Sequence, residues 1–288
     1  MTAKSDYAAY LQRKERKKAE LMGKYWVNQE SRYISPFQIY GNLYYVGDSW
    51  VCAHIVDTGD GLILFDAGNT GATAMLIHAI WAAGFNPSDV RWLILSHGHV
   101  EHIGAANFFK RMFDTKIYPG APDAEMFRTK PEFVFIQDCA SIEDELCLID
   151  VEINDGDVLQ FGHITVKFVL VPGHTEGCIA CFFDVTDGDH TRRVGYYGGF
   201  GFNTLQKEFL EEYGDPQLTL RQQYLHSLEK VRNEPVDIFM ANHTVNIDLL
   251  AKRQQMLADP GVNPFIDKKA WSLYLDKKRD DLLKMMED

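Results

Sequence analysis

The rhythm of hydrophobic and polar positions changes several times along the chain, and each change marks an element. After Pro36, the runs PFQIYGNLYYVG, WVCAHIVDT and GLILFDAG are rich in β-branched and aromatic residues, and Gly-Asn, Gly-Asp and Asp-Gly dipeptides punctuate them. They predict a β-meander. TGATAMLIHAIWAAGF then spaces its apolar residues at helical intervals, and Gly84-Phe85-Asn86-Pro87 supplies the stop, so a helix crosses one face of that sheet. RWLILS is a short apolar strand, HGHVEH follows it at once, and IGAANFFKRMF has the helical spacing of a segment leading away from a strand end. The pattern recurs, with HITVKFVLVPG before His174 and PVDIFMAN before His243. Three strand ends therefore each deliver histidine, at the edge where open β/α folds place ligand sites.

APDAEMF reads as a short helix and the segment from Pro131 to Asp150 as a less regular excursion, while residues 215–233, 247–258 and 267–286 read as three further helices. Residues 4–24 carry Lys, Arg and Glu between Tyr7, Leu11, Leu21 and Met22, a loose amphipathic helix packed as an arm on the body. Without an internal repeat, a low-complexity linker or a composition shift, the expected organisation is a helical arm over residues 1–30 and one domain over 31–288.

Composition narrows the function. The 288 residues are 46% hydrophobic and 24% charged, as in folded globular chains. A net charge of -12 argues against a nucleic-acid surface, which needs a clustered cationic face, and directs the expectation to a small-molecule substrate. The N-terminal segment lacks the apolar core of a secretory signal, and no stretch approaches the roughly 18 uninterrupted apolar residues of a spanning helix, so the expectation is a cytoplasmic protein without a membrane partner. Homo-oligomer formation stays open. Cys52, Cys139, Cys147, Cys178 and Cys181 are odd in number and lack the spacing of a disulfide framework, which predicts free thiols.

The histidines carry the chemistry. His97-x-His99 places two imidazoles two residues apart on a loop, which is half of a zinc site, and His174 supplies the third ligand of a site with one open position. Glu101 and His102 offer a carboxylate and a further imidazole from the first turn of a helix, and His243 completes a second set. Three histidines and a glutamate directly after an apolar strand are costly to bury without a partner such as a metal ion. His54, His78, His163, His190 and His226 lie in strands, helices or a turn and read as structural or solvent-facing. Cys178 and Cys181 have the spacing of a zinc knuckle but lie inside GCIACFFDV, where strand alternation sends them to opposite faces. GYYGGFGFN lacks the lysine and helix of a phosphate loop and reads as a loop near the metals.

LILFDAG, LSHGHVEHIGA, VPGHTEG and ANH, in that order, resemble the successive motifs of the metallo-β-lactamase fold over residues 36–250. PFQIYGNLYYVG, the Gly-His-Thr-x-Gly turn, ANHTVNID and the helical tail look closest to the subclass B3 enzymes and their relatives. The resemblance implies an α/β fold, a four-layer αββα sandwich, with a dinuclear zinc centre in a cleft; iron and manganese are the alternative metals. By the same resemblance, His97, His99 and His174 hold one metal, Glu101, His102 and His243 the other, and Asp66 steadies the ligand loop from behind. Two departures stand out: Glu101 occupies the family's usual aspartate position, and Gly199 stands where many hydrolase branches place a bridging aspartate, which B3 enzymes also lack.

The implied reaction is hydrolysis of an ester, lactone, amide or β-lactam by metal-activated water, with Glu101 positioning that water or taking its proton. Tyr196, Tyr197, Asn203 and Asn246 are expected at the substrate. The alternatives are a mononuclear iron dioxygenase on the same fold and a metal-binding protein that has lost turnover.

Overall fold

In the computed structural model, residues 29–135 and 146–287 are described. Strands β1 (Phe37–Tyr40), β2 (Leu43–Tyr45), β3 (His54–Asp57) and β4 (Leu62–Phe65) pair antiparallel in chain order, as the meander predicts. β5 (Val90–Ile94) and β6 (Lys116–Tyr118) extend the same sheet in parallel. Parallel neighbours need a crossover, and α1 (Thr73–Ala82) and, after the short α2 (Val100–Ile103), α3 (Ala106–Phe113) supply the two crossings.

Alternation along β4 sets the layers. Leu62 and Leu64 pack into an outer cluster with Leu76 and Ile80 of α1, Phe109 of α3 and Met126 of α4 (Ala121–Thr129), while Ile63 and Phe65 face the other way. On that inner side lies a second sheet, ordered β11-β10-β9-β8-β7, from β7 (Val158–Phe161), β8 (Ile164–Leu170), β9 (Ile179–Asp187), β10 (His190–Tyr197) and β11 (Ile238–Ala241). The Phe65 ring stacks on Phe183 of β9 with centroids 5.3 Å apart, which marks the seam between the sheets. Phe182, the preceding residue, turns outward against Trp271 of α8 (Ala270–Glu287). Leu228 and Val231 of α6 (Thr219–Val231) join the same outer packing. The result is helices, sheet, sheet, helices: the αββα sandwich.

The expected helices recur as α1, α3, α4, α6, α7 (Leu249–Ala258) and α8. Two details differ. The helix expected from residue 215 begins at Thr219, because Leu218 turns into the left-handed region (φ 57) and Asp215 stays outside, its carboxylate accepting the Leu220 N–H at 2.8 Å. An additional helix, α5 (Lys207–Tyr213), precedes it. The arm expected over residues 4–24 and Cys139 lie outside the described residues. The other four cysteines are free and buried. No helix among the described residues is long and apolar enough to cross a membrane.

Candidate metal centre

Strand β4 is followed at once by Asp66, whose backbone enters the left-handed region (φ 59), a conformation that Asp tolerates better than most residues. Its carboxylate ties three elements together. Oδ1 accepts the Ser96 N–H at 2.7 Å, and Oδ2 accepts the Tyr196 hydroxyl and the Nδ1–H of His102, each at 2.9 Å. β5 therefore leaves the sheet in a fixed direction, and the next residues are His97, Gly98 and His99. A Cβ at Gly98 would stand 2.7 Å from both the Met126 and Phe127 side chains of α4, so any larger residue between the two histidines would have to displace them. His99 then precedes α2, whose first turn carries Glu101 and His102.

Each of four imidazoles is oriented through Nδ1. His97 donates to the Gly198 carbonyl (2.8 Å), His174 to Gly201 (3.0 Å), His243 to Trp50 (3.2 Å) and His102 to Asp66. A neutral imidazole that donates through Nδ1 keeps its lone pair on Nε2, so four lone pairs remain for a cation. His99 instead turns Nδ1 inward, 3.1 Å from Nε2 of His97. Two ligand nitrogens of one tetrahedral zinc, each bonded at ~2.0–2.1 Å, sit at about that separation. Donor atoms of His97, His99 and His174 all lie within 4.8 Å of one another, and so do those of His97, Glu101 and His102.

The second set is looser. Glu101 Oε1 is 3.9 Å from His102 Nε2, and the His243 ring stands beside His102 with centroids 5.0 Å apart, outside the two tight groups. Asn242 brings its amide nitrogen to 3.4 Å from the same Nε2.

Electrostatics suits a cation. Burial, reinforced by neighbouring imidazoles, holds His97, His99 and His243 well below the ordinary histidine range, and burial takes His174 down to about 4 against the pull of the Gly201 hydrogen bond. These rings are neutral at pH 7, the form that ligates. Burial is the largest single influence on His102 and opposes its charged form, but the charge and hydrogen bond of Asp66, joined by the charges of Glu101 and Asp48, together outweigh it and raise His102. A buried cluster of neutral imidazoles with aligned lone pairs is a donor set that fits zinc or a similar ion.

Two expected substrate contacts are corrected. Tyr196 and Tyr197 are completely buried, because β10 is an inner strand covered on both faces: Tyr196 points between the sheets to Asp66, and Tyr197 stacks on Phe200 on the opposite side. Neither presents surface to a ligand. Asn203 is exposed and close to His174, both side chains crowding the space over Gly201. Asn246 is buried and bonds Asn242 and the Tyr274 hydroxyl. A Cβ at Gly199 would stand 2.9 Å from both the His174 ring and the Cys178 sulfur, so the packing leaves no room there for a bridging carboxylate.

Sequence reasoning missed Asp123. This fully buried acid on α4 accepts the Gly98 N–H (2.7 Å), the Thr175 hydroxyl (2.8 Å) and the Gly177 N–H (2.9 Å), pinning the His97–His99 loop to the His174 loop. Nothing in the stretch APDAEMF sets this acid apart from Glu125 two residues on. Asp123→Ala leaves the Gly98 and Gly177 N–H groups without their acceptor, while the Thr175 hydroxyl keeps Cys178 Sγ beside it; at ~1–3 kcal/mol per unsatisfied buried group, offset in part because the burial cost of the carboxylate goes with it, stability should fall by about 2–4 kcal/mol. Asp123→Asn keeps one acceptor and should lose less. Urea denaturation of both variants checks the order, and equal stabilities would contradict the bridging role.

Comparison with known proteins agrees with this geometry. Residues 51–243, more than half of the chain, match the profile of the Metallo-beta-lactamase superfamily. Among solved structures, the subclass B3 metallo-beta-lactamase of Bradyrhizobium japonicum superposes with a TM-score of 0.77 at 24% identity, covering 92% of this chain and 97% of that one. A metallo-beta-lactamase of Elizabethkingia meningoseptica gives 0.76 at 26% identity, with 89% and 94% covered. A hydroxyacylglutathione hydrolase of Haemophilus influenzae is 28% identical over 149 residues, 51% of this chain and 64% of its own length. A probable metallo-hydrolase of Burkholderia pseudomallei is 28% identical over 152 residues, 50% and 46% of the two chains. The chain spans about half the length of the curated relatives it matches. Sequence profile, fold and histidine geometry agree, and the chain belongs to the metallo-beta-lactamase superfamily.

Proposed function

We propose that this chain is a metal-dependent hydrolase, with residues 31–288 as the working unit and a small carboxylic ester, thioester, lactone, amide or β-lactam as substrate. The observation that carries the reading is the convergence of His97, His99 and His174, whose donor atoms lie within 4.8 Å of one another while backbone carbonyls hold the far nitrogens of His97 and His174. An all-imidazole set favours zinc. Glu101, His102 and His243 form the second, weaker site of a dinuclear centre. A cation in this setting supplies Lewis-acid polarisation of a carbonyl and a water acidic enough to ionise at a pH of about 7.

The protein's own groups do the rest. Glu101, only partly exposed, takes the proton of the attacking water and passes it to the leaving oxygen, sulfur or nitrogen. Asp66 keeps His102 in one tautomer and one orientation. Zinc-loaded protein should hydrolyse at least one member of a panel of esters, thioesters, lactones and lactams, lose that activity on chelation and recover it when zinc returns. A folded, zinc-loaded protein inert on the whole panel contradicts the proposal.

Glu101 supports a further expectation. Its side chain is one methylene longer than aspartate, a displacement large beside the ~0.5 Å tolerance of a working site. Zinc titration should therefore be biphasic, and Glu101→Asp should tighten the weaker phase by roughly 10- to 100-fold. An Asp variant that loses metal would mean that the backbone has adapted to glutamate.

A further inference from the structure

His243 is oriented from the far end of the chain. Its Nδ1 donates to the Trp50 carbonyl at 3.2 Å, and the same oxygen accepts the Thr244 N–H at 3.1 Å. Trp50 belongs to the loop between β2 and β3, so whatever fixes that loop fixes the imidazole. Two further bonds join the same segments: the Thr244 hydroxyl donates to the Ser49 carbonyl and the Cys52 N–H to the Asn242 carbonyl, each at 2.9 Å. The Trp50 indole stands beside the His243 ring, with centroids 5.3 Å apart.

The loop is folded around one buried acid. Asp48 Oδ1 accepts the N–H groups of Trp50 and Val51, each at 2.7 Å, and the Asp48 N–H donates to the Val51 carbonyl at 3.0 Å. An aspartate that bonds the backbone just ahead of it closes a tight turn. Asp48 Oδ2 serves the opposite side, 3.2 Å from Arg32 Nε, and both side chains are buried. Arg32 ends the 3-10 turn Gln29–Arg32. Its carbonyl accepts the Ser49 N–H at 2.9 Å, and its guanidinium carbon lies 5.7 Å from the centroid of the Trp50 ring. Arg32 therefore grips the loop by carboxylate, backbone and indole. Desolvation offsets most of what such a buried pair gains in attraction. What the pair does here is fix a direction, that of the Trp50 carbonyl.

Building on the metallo-hydrolase reading, we infer that Arg32 and Asp48 are positioning residues of the second metal site. They hold the Trp50 carbonyl where it keeps the His243 proton on Nδ1 and leaves the Nε2 lone pair to the cation. The tighter site does not depend on them, because His97 and His174 lean on the Gly198 and Gly201 carbonyls, on a different loop.

Zinc titration of Asp48→Ala should weaken the second phase by roughly 10- to 100-fold and leave the first within about threefold, the scale of losses expected when support for a metal ligand is removed. Arg32→Met leaves Asp48 its two N–H donors and should cost the second phase about tenfold. Asp48→Asn keeps an acceptor for Trp50 and Val51 and should recover most of the loss seen in Asp48→Ala. Nitrogen-15 NMR of histidine-labelled, metal-free protein reads the tautomer directly, with the His243 signals assigned from a His243→Ala sample. His243 should carry its proton on Nδ1 in the unmodified protein and show both tautomers in Asp48→Ala. Thermal unfolding of the same samples identifies a variant that has lost its fold; if Asp48→Ala does, Arg32→Met carries both comparisons. A folded variant with the second phase unchanged, with both phases weakened alike or with the tautomer unaltered overturns the inference. If the unmodified protein binds no second zinc, the dinuclear part of the metallo-hydrolase reading fails, and the pair is judged on the tautomer alone: mixed tautomers in the variant support it, and an unaltered Nδ1–H overturns it.

Discussion

His174→Ala should remove about one equivalent of bound cation and lower hydrolysis by more than ~100-fold, beyond the 10- to 100-fold losses typical of groups that merely support a metal ligand. His174 comes from the turn after β8, and its ring is held by the Gly201 carbonyl at 3.0 Å and the Thr204 hydroxyl at 3.1 Å. A Cβ at Gly199 or Gly201 would stand within 3 Å of that ring, so both glycines leave it its space. Truncation leaves His97 and His99 as a two-nitrogen site, and the Gly201 carbonyl loses its donor. The fold should survive, because the missing ring borders a pocket and not the seam between the sheets. Metal per chain after dialysis, hydrolysis of the best substrate and the thermal unfolding midpoint check the three parts separately. Full metal content with undiminished turnover would remove His174 from the centre.

Asp66→Ala should be the most damaging single change to the fold itself. The carboxylate is fully buried and satisfies the Ser96 N–H, the Tyr196 hydroxyl and the His102 ring. Breaking such a buried charged contact on one side costs about 3–5 kcal/mol, a large share of a domain stability of ~5–15 kcal/mol. Asp66→Asn keeps the shape and one acceptor for Ser96, and should lose less stability. It no longer fixes the His102 tautomer, so the weaker site should lose roughly 10- to 100-fold in zinc affinity. Denaturant unfolding and zinc titration of both variants separate the two effects. An Asp66→Asn protein with unchanged affinity at both sites would reduce Asp66 to a packing residue.

Much of this was legible in the residues, for reasons that can be named. Runs of β-branched and aromatic residues broken by Gly-Asn, Gly-Asp and Asp-Gly dipeptides marked β1 to β4, and the apolar runs before HGHVEH, His174 and His243 marked the strand ends that carry the histidines. Signals that depend on distant neighbours were not legible. KEFLEEY holds few apolar residues, and α5 takes its stability from packing Phe209 and Tyr213 against Phe133, which lies far off in the chain. Asp123 looks like an acid in a helix's first turn, where an exposed carboxylate is common. Its burial follows only once Gly98 and Gly177 arrive on the loops after β5 and β8. Tyr196 and Tyr197 looked like site residues beside a glycine-rich loop, yet β10 lies inside a sandwich covered on both faces, so alternation buries both. Gly199 was legible as a missing aspartate; that an aspartate would collide with His174 was not.

The central claim is that these histidines hold a cation, and elemental analysis of natively purified protein, followed by zinc titration of the metal-free form, tests it most directly. The account predicts between one and two equivalents of zinc or a similar transition ion per chain, with a tight first equivalent that disappears in His97→Ala. A well-folded protein that carries no transition metal and takes up no zinc on titration would contradict it.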